Sequence, residues 1–138
     1  MIVLDTNVVS ELMKAEPAPQ VATWVRSHSA PELFTTAITF SEIGYGIARL
    51  PGGRRKNLLE AAAEVLFTAF AEQVLPFDKS AAGRYGQIVN HRERAGRPLN
   101  GFDAQIAAIC QARHADLATR NLKDFEGMEL SLINPWQS

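Results

Sequence analysis

The feature that most narrows the fold is the opening MIVLDTN, in which Ile2, Val3 and Leu4 run without interruption into Asp5. A strand with one wet face alternates apolar and polar residues. A continuous apolar run marks a strand covered on both faces, as in a parallel sheet sandwiched between helices. The rest of the chain supplies those helices. Apolar spacing predicts them over 8–14, 21–28, 38–50, 56–72, 80–95 and 102–114, with breaks at Pro17, Pro19 and the Pro51-Gly52-Gly53 triplet. Short strand-like runs lie between them at 32–36, 73–76, 116–119 and 130–133. Strands separated by helices imply βαβ units and a central parallel sheet. The expected fold is α/β, a three-layer Rossmann-like sandwich forming one domain over residues 1–138.

Composition excludes several function classes. A chain of 138 residues, 46% hydrophobic and 21% charged, has the balance of a globular protein that buries its own core. Its net charge of −1 gives no global basic field, so a nucleic acid must be met by local patches. The single cysteine, Cys110, rules out an internal disulfide framework and sits in an apolar helical stretch, as a core thiol would. No apolar run reaches membrane-spanning length and no basic leader opens the chain, so a cytoplasmic location is expected.

The acids carry the functional signal. Asp5 sits at the end of the first strand. It is either a helix cap, a job Thr6 or Asn7 can also do, or a group aimed into the crevice outside the carboxyl ends of the strands, where open α/β sheets bind ligands. Glu42 lies mid-helix at the edge of an apolar stripe. A solvated glutamate is the plain reading, but Gly44 and Gly46 each weaken that helix by about 1 kcal/mol relative to alanine, which close approach of another group would offset. Asp103 follows Asn100 by three residues and resembles half of a capping box. In ATRNLKDF, Asn121 either caps the next short helix or joins a site, and Asp124 is either exposed or part of it. Together these acids would converge near the carboxyl ends of parallel strands with no evident lysine partner. Mutual repulsion makes such a cluster expensive unless a cation neutralises it. Oxygen ligands without His or Cys suit Mg²⁺ or Mn²⁺, which serve phosphodiester chemistry.

Five segments, in order, give a family resemblance: LDTNVVSEL, SEIGYGIARL, FDAQIAAI, ATRNLKDF and the closing NPW. Along its whole length the chain resembles the PIN-domain ribonucleases, and among them the VapC-type toxins, with the ending similar to the FitB-like subgroup. The resemblance implies that Asp5 and Asp103 hold the metal and that Glu42 is a third acid of the site. It also implies a fourth acid after the fourth strand, where relatives carry Asp at the position of Asn121. Either Asp124 supplies that charge or Asn121 acts as a neutral ligand. Thr6 and Thr119 are the expected supporting hydroxyls. The implied activity is Mg²⁺- or Mn²⁺-dependent cleavage of RNA that blocks translation, restrained by a cognate VapB-type antitoxin, with a homodimer as the expected assembly.

The concentrated basic residues are Arg54, Arg55 and Lys56, then His91, Arg92, Arg94 and Arg97. They are either solvated helix surface or contacts to an RNA backbone. The three histidines are too scattered for a metal site. Trp24 and Trp136 read as packing residues, with a partner interface as the alternative. Two rivals remain open. A haloacid-dehalogenase-like phosphatase also starts with a strand-end aspartate but needs a second one where Asn7 stands. A catalytically weak or inactive PIN-like module, binding RNA or assembling with a partner, is kept open by the altered fourth acidic position.

Overall fold

The computed structural model describes residues 1–137. Five parallel strands form one sheet in the order β3-β2-β1-β4-β5, with β1 (Ile2–Leu4) at its centre. The remaining strands are β2 (Leu33–Thr36), β3 (Val74–Leu75), β4 (Asp116–Ala118) and β5 (Leu132–Ile133). The helices are α1 (Thr6–Leu12), α2 (Pro19–Arg26), α3 (Ala37–Ala48), α4 (Arg54–Phe70), α5 (Lys79–Arg94), α6 (Gly101–Arg113) and the single turn α7 (Leu122–Phe125). Predicted bounds and observed ones differ by two residues at most.

The apolar opening behaves as a doubly covered strand requires. Val3 points into a core with Leu75, Ile88, Ile106, Ile109 and Leu117, beneath α5 and α6. Ile2 and Leu4 point the other way, into a core with Val8, Val9, Val21, Ile43, Ile47 and Phe67 from α1 to α4. Alternation across the strand thus fills two separate cores and fixes its register. Helix α6 is wrapped in protein, with residues 106–110 all buried, so Cys110 is a core thiol. Trp24 is also buried, against the His28 ring, and Trp136 lies under the Arg120 guanidinium at 5.0 Å. Among the described residues, no helix is long and apolar enough to cross a membrane.

Strand order determines where a site can form. From β1 the chain winds outward through β2 to β3, then crosses back to β4 on the other side of β1 and continues to β5. The crevice at the carboxyl ends of β1 and β4 is therefore the topological switch point, where open sheets present loops that diverge and leave room for a ligand.

Candidate active site

Asp5 is built into that crevice by the backbone. Leu4 pairs with Ala118, and the Asp5 N–H donates to the Ala118 carbonyl at 2.9 Å, carrying the ladder one residue past the strand. Its side chain is 3% exposed. Oδ1 accepts from the Thr6 N–H at 2.8 Å, and Oδ2 accepts from the Thr119 hydroxyl at 2.8 Å. Asp5 itself is thus the N-cap of α1, a role that Thr6 or Asn7 could have filled, and the helix starts at Thr6 rather than at residue 8. Asn7 instead ties the two strand ends together. Its Nδ2 donates to Thr119 Oγ1 at 3.2 Å and lies 3.4 Å from Asp5 Oδ2, while its Oδ1 accepts from the Arg120 N–H at 3.1 Å. Burial raises the Asp5 carboxyl above its ordinary range, the bonds from Thr119 and Thr6 oppose this, and the charges of Glu42 and Asp124 add to the rise.

Glu42 reaches the site from α3. Its Oε1 accepts from the Thr6 hydroxyl at 2.7 Å, and that hydroxyl lies 3.0 Å from Thr39 Oγ1. A hydroxyl has one proton to give, so Thr6 donating to Glu42 makes Thr39 the donor to Thr6. The chain continues inward to Thr36, whose hydroxyl faces Thr39 at 3.4 Å and accepts the Thr39 N–H at 3.1 Å as the cap of α3. Thr36 and Thr39 are fully buried, so this row of hydroxyls is fixed under the half-exposed Glu42. Burial raises the Glu42 pKa, Thr6 counteracts it, and Asp103 raises it further. The expected close approach to Gly44 and Gly46 is not present: nothing lies within 4 Å of a β-carbon at either position.

Asp103 enters from the first turn of α6, and the capping geometry anticipated for it exists. Asn100 Oδ1 accepts the Asp103 N–H at 2.8 Å and Asn100 Nδ2 donates to Asp103 Oδ2 at 2.8 Å. Even so, its carboxyl is pushed up from 3.8 to about 6, by burial first and by the charge of Asp5 next, with Asp124 adding and Asn100 and Arg92 opposing. Asp124 lies on α7 with an exposed side chain. Its charge nonetheless acts on both Asp5 and Asp103. Asn121 stands at the N-cap position of α7 without a side-chain capping bond, and its N–H donates to Thr119 Oγ1 at 3.1 Å. Thr119 is therefore fully committed, giving one bond to Asp5 and receiving from Asn7 and Asn121.

The structure thus brings Asp5 and Asp103 within electrostatic reach of Asp124, and Glu42 within reach of Asp5 and Asp103, with Thr119 and Thr6 as the hydroxyls that hold Asp5 and Glu42. Among the described residues, none of the four acids has a Lys, Arg or His nitrogen within 4.0 Å, since the ion pairs formed involve Glu11, Glu126 and Asp78. Acceptor-only oxygens gathered in this way suit a hard cation. No group of three or more His, Cys, Asp or Glu among the described residues is drawn tightly enough to form a metal cage. Mg²⁺ does not need one, because it binds through one or two carboxylates and keeps several waters.

Of the basic residues, only Arg92 departs from both readings of the sequence. Arg54, Arg55 and Arg94 are exposed at helix ends and none of them bears on the shifted acids. Lys56 donates to the Ala48 carbonyl at 3.2 Å, closing α3. Arg92, expected either on solvated helix surface or against an RNA backbone, is neither: it is 5% exposed, with its guanidinium spent on backbone carbonyls, so it does not offer a phosphate contact. Sequence reasoning also missed Thr36, Thr39 and the bridging role of Asn7. The Thr-x-x-Thr spacing at the start of α3 is the one available sign of the hydroxyl row.

Comparison with known proteins identifies the family. The PIN domain family model matches residues 2–128. The VapC ribonuclease Y4jK of Sinorhizobium fredii is 38% identical, covering 99% of both chains. Toxin FitB of Neisseria gonorrhoeae is 34% identical over 99% of both chains. The crystal structure of FitAcB from that organism superposes with a TM-score of 0.91, covering 100% of both chains. With the parallel sheet, the switch-point acids and near full-length likeness in agreement, the chain belongs to the PIN-domain family, in its VapC/FitB toxin branch.

Proposed function

We propose that this protein is the toxin of a toxin–antitoxin pair, a divalent-metal-dependent endoribonuclease that blocks translation by cutting RNA. The observation that carries the reading is the set of three carboxylates, Asp5, Glu42 and Asp103, whose proton affinities are raised by burial and by neighbouring acids at the switch point, with no cationic side chain in contact among the described residues. A relative named as a VapC ribonuclease supports the activity, and one named as a toxin supports the role. Asp5 and Asp103 would hold Mg²⁺ or Mn²⁺, with Asp124 or Asn121 completing the rim. When bound, such an ion supplies Lewis acidity at a phosphodiester and favours ionised water. The chain's own residues do the positioning. Thr119 and the Thr6 N–H fix the Asp5 carboxylate, leaving oxygen lone pairs free. Thr6 orients Glu42, whose raised pKa suits a group that takes a proton from an attacking water.

A toxin of this kind needs a cognate antitoxin, and FitB was solved as FitAB bound to the IR36 DNA fragment. Trp24 is buried, which favours its reading as a packing residue over the partner-interface alternative. One apolar surface open to such a partner is the groove of about 530 Å³ between α3 and α4, lined by Phe40, Ile43, Gly44, Ile47 and Phe67. The test is incubation of the purified protein with a mixed RNA pool in Mg²⁺, Mn²⁺ or EDTA, beside Asp5→Asn. Cleavage is expected with metal alone, and Asp5→Asn should lose about 10²–10³ in rate while remaining folded. Equal cleavage by folded Asp5→Asn, or cleavage in EDTA, overturns the metal-site assignment.

A further inference from the structure

Arg92 is a buried cation that no carboxylate touches. Its Nε donates to the Arg97 carbonyl at 2.7 Å, and its Nη1 donates to the carbonyls of Asp124 at 2.8 Å and Glu126 at 3.1 Å. No side-chain carboxylate oxygen of an Asp or Glu lies within 4.0 Å of it among the described residues. Burying a guanidinium without an ion pair is costly, and it persists where several acceptors converge on it. The acceptors are informative. Two of the three belong to the segment that carries Asp124, and Arg97 Nη2 takes a further one, the Lys123 carbonyl, at 2.8 Å. The N–H of Arg97 donates back to the Arg92 carbonyl at 2.9 Å, so the end of α5 and the turn after it form one rigid unit.

The segment needs such support. Helix α7 is four residues long, lacks a side-chain N-cap and leads into extended backbone at Glu126. A single turn is not stable by itself, and its terminal carbonyls have no helical partner. Phe125 anchors the turn in the core by one buried side chain, and the main-chain bonds from Arg92 and Arg97 add a second attachment. The grip on the Asp124 carbonyl anchors the main chain of the turn, and with it the point from which the Asp124 side chain projects.

We propose that Arg92 is a positioning residue, which holds the fourth acid of the site in place by binding the main chain of Asp124. The inference rests on the nuclease reading for its kinetic consequence but not for its structural one. It separates Arg92 from the RNA-contacting cations.

The test compares the full-length parent with Arg92→Lys, which keeps the charge but loses the planar fork, and with Arg97→Ala at an exposed position. Hydrogen exchange of the amides at 122–127 should speed up about tenfold or more in Arg92→Lys, with α6 amides unchanged. In Mn²⁺, kcat for RNA cleavage should fall about tenfold with KM near the parent's, the mark of misplaced chemistry rather than lost binding. Introduced into Asp124→Asn, Arg92→Lys should lower kcat by less than about twofold, because the group it positions is already disabled. A raised KM at unchanged kcat, or losses that multiply in the double variant, overturns the proposal. If no form of the protein cleaves RNA, the nuclease reading falls, and the exchange data alone decide the clamp: unchanged amides at 122–127 overturn it. Should Arg92→Lys fail to fold, Arg97→Ala must show the same local acceleration in smaller measure, and its absence overturns the proposal equally.

Discussion

Neutralising Asp103 offers the sharpest check on the cluster, because its carboxyl is the one pushed to a defined value. The folded protein holds this proton up to about 6, against an ordinary 3.8. Between those values the native state binds more protons than the unfolded chain, so stability falls as pH rises. The contribution is fully present below 3.8 and is lost as pH climbs through about 6. The whole gap corresponds to at most about 3 kcal/mol. Solvent screening at this half-exposed carboxylate reduces it to about 1–1.5 kcal/mol. In a chain of this length each kcal/mol moves Tm by about 3–5 °C. In EDTA, the parent should therefore lose about 3–7 °C more than Asp103→Asn between pH 4 and pH 7.5. Asn at 103 keeps an oxygen for the Asn100 amide, so the capping bonds survive, while loss of a negative charge in the first turn subtracts about 0.3–1 kcal/mol near neutrality. That offset makes the pH dependence a better observable than Tm at one pH. At a free Mn²⁺ concentration 100 times the dissociation constant the parent should gain about 2.7 kcal/mol, and the variant should lose most of that gain. Thermal melts at pH 4, 6 and 7.5, with EDTA and with Mn²⁺, decide the matter. Parallel pH curves together with equal metal-induced shifts would refute the placement of Asp103 in a shared acidic site.

Two further outcomes are expected. If Asp124 is the working fourth acid, Asp124→Asn should weaken Mn²⁺ binding and cleavage while Asn121→Asp is tolerated or tightens binding. Isothermal titration with Mn²⁺ separates them, and an unchanged Asp124→Asn would leave Asn121 or a three-acid site as the account. Gly44→Ala should stabilise α3 by about 0.5–1 kcal/mol, since alanine favours a helix interior and a β-carbon there meets nothing within 4 Å. A denaturant melt showing destabilisation would mean that the local packing has been misread.

What was legible in the sequence is what local pattern determines. The uninterrupted Ile2-Val3-Leu4 run specified a doubly covered strand, and the alternation of strand and helix signals specified parallel order, because both depend on neighbours along the chain. Asp5 and Asp103 stood out for the same reason, one ending a strand and the other three residues past a capping asparagine. Arg92 did not. In HRERAGR it has the appearance of a solvated helix cation, and its burial is decided by carbonyls 32 and 34 residues further on. Thr39 was equally hidden, since its value lies in meeting Thr6, 33 residues earlier, across two elements. Long-range partners for uncharged or apparently solvated groups leave no periodic trace, so they appear only when the sheet order is known.

Asp5 also shows why a capping explanation and a ligand-binding one need not compete. An ionised carboxylate has about four acceptor positions, and the cap occupies one on Oδ1 while Thr119 takes one on Oδ2. Both bonds favour the charged form and would hold its pKa low if the site were otherwise neutral. The net direction is nevertheless upward, because burial and the charges of Glu42 and Asp124 outweigh them. A residue present only to start α1 would not be placed where its own hydrogen bonds fail to compensate its charge; at a solvated helix start a carboxylate serves at no such penalty. The same excess of acid over compensation recurs at Glu42 and Asp103, which reach the crevice from different helices. Three carboxylates from separate elements converge with their charges uncompensated, and a bound cation, as proposed for this site, would relieve all of them together.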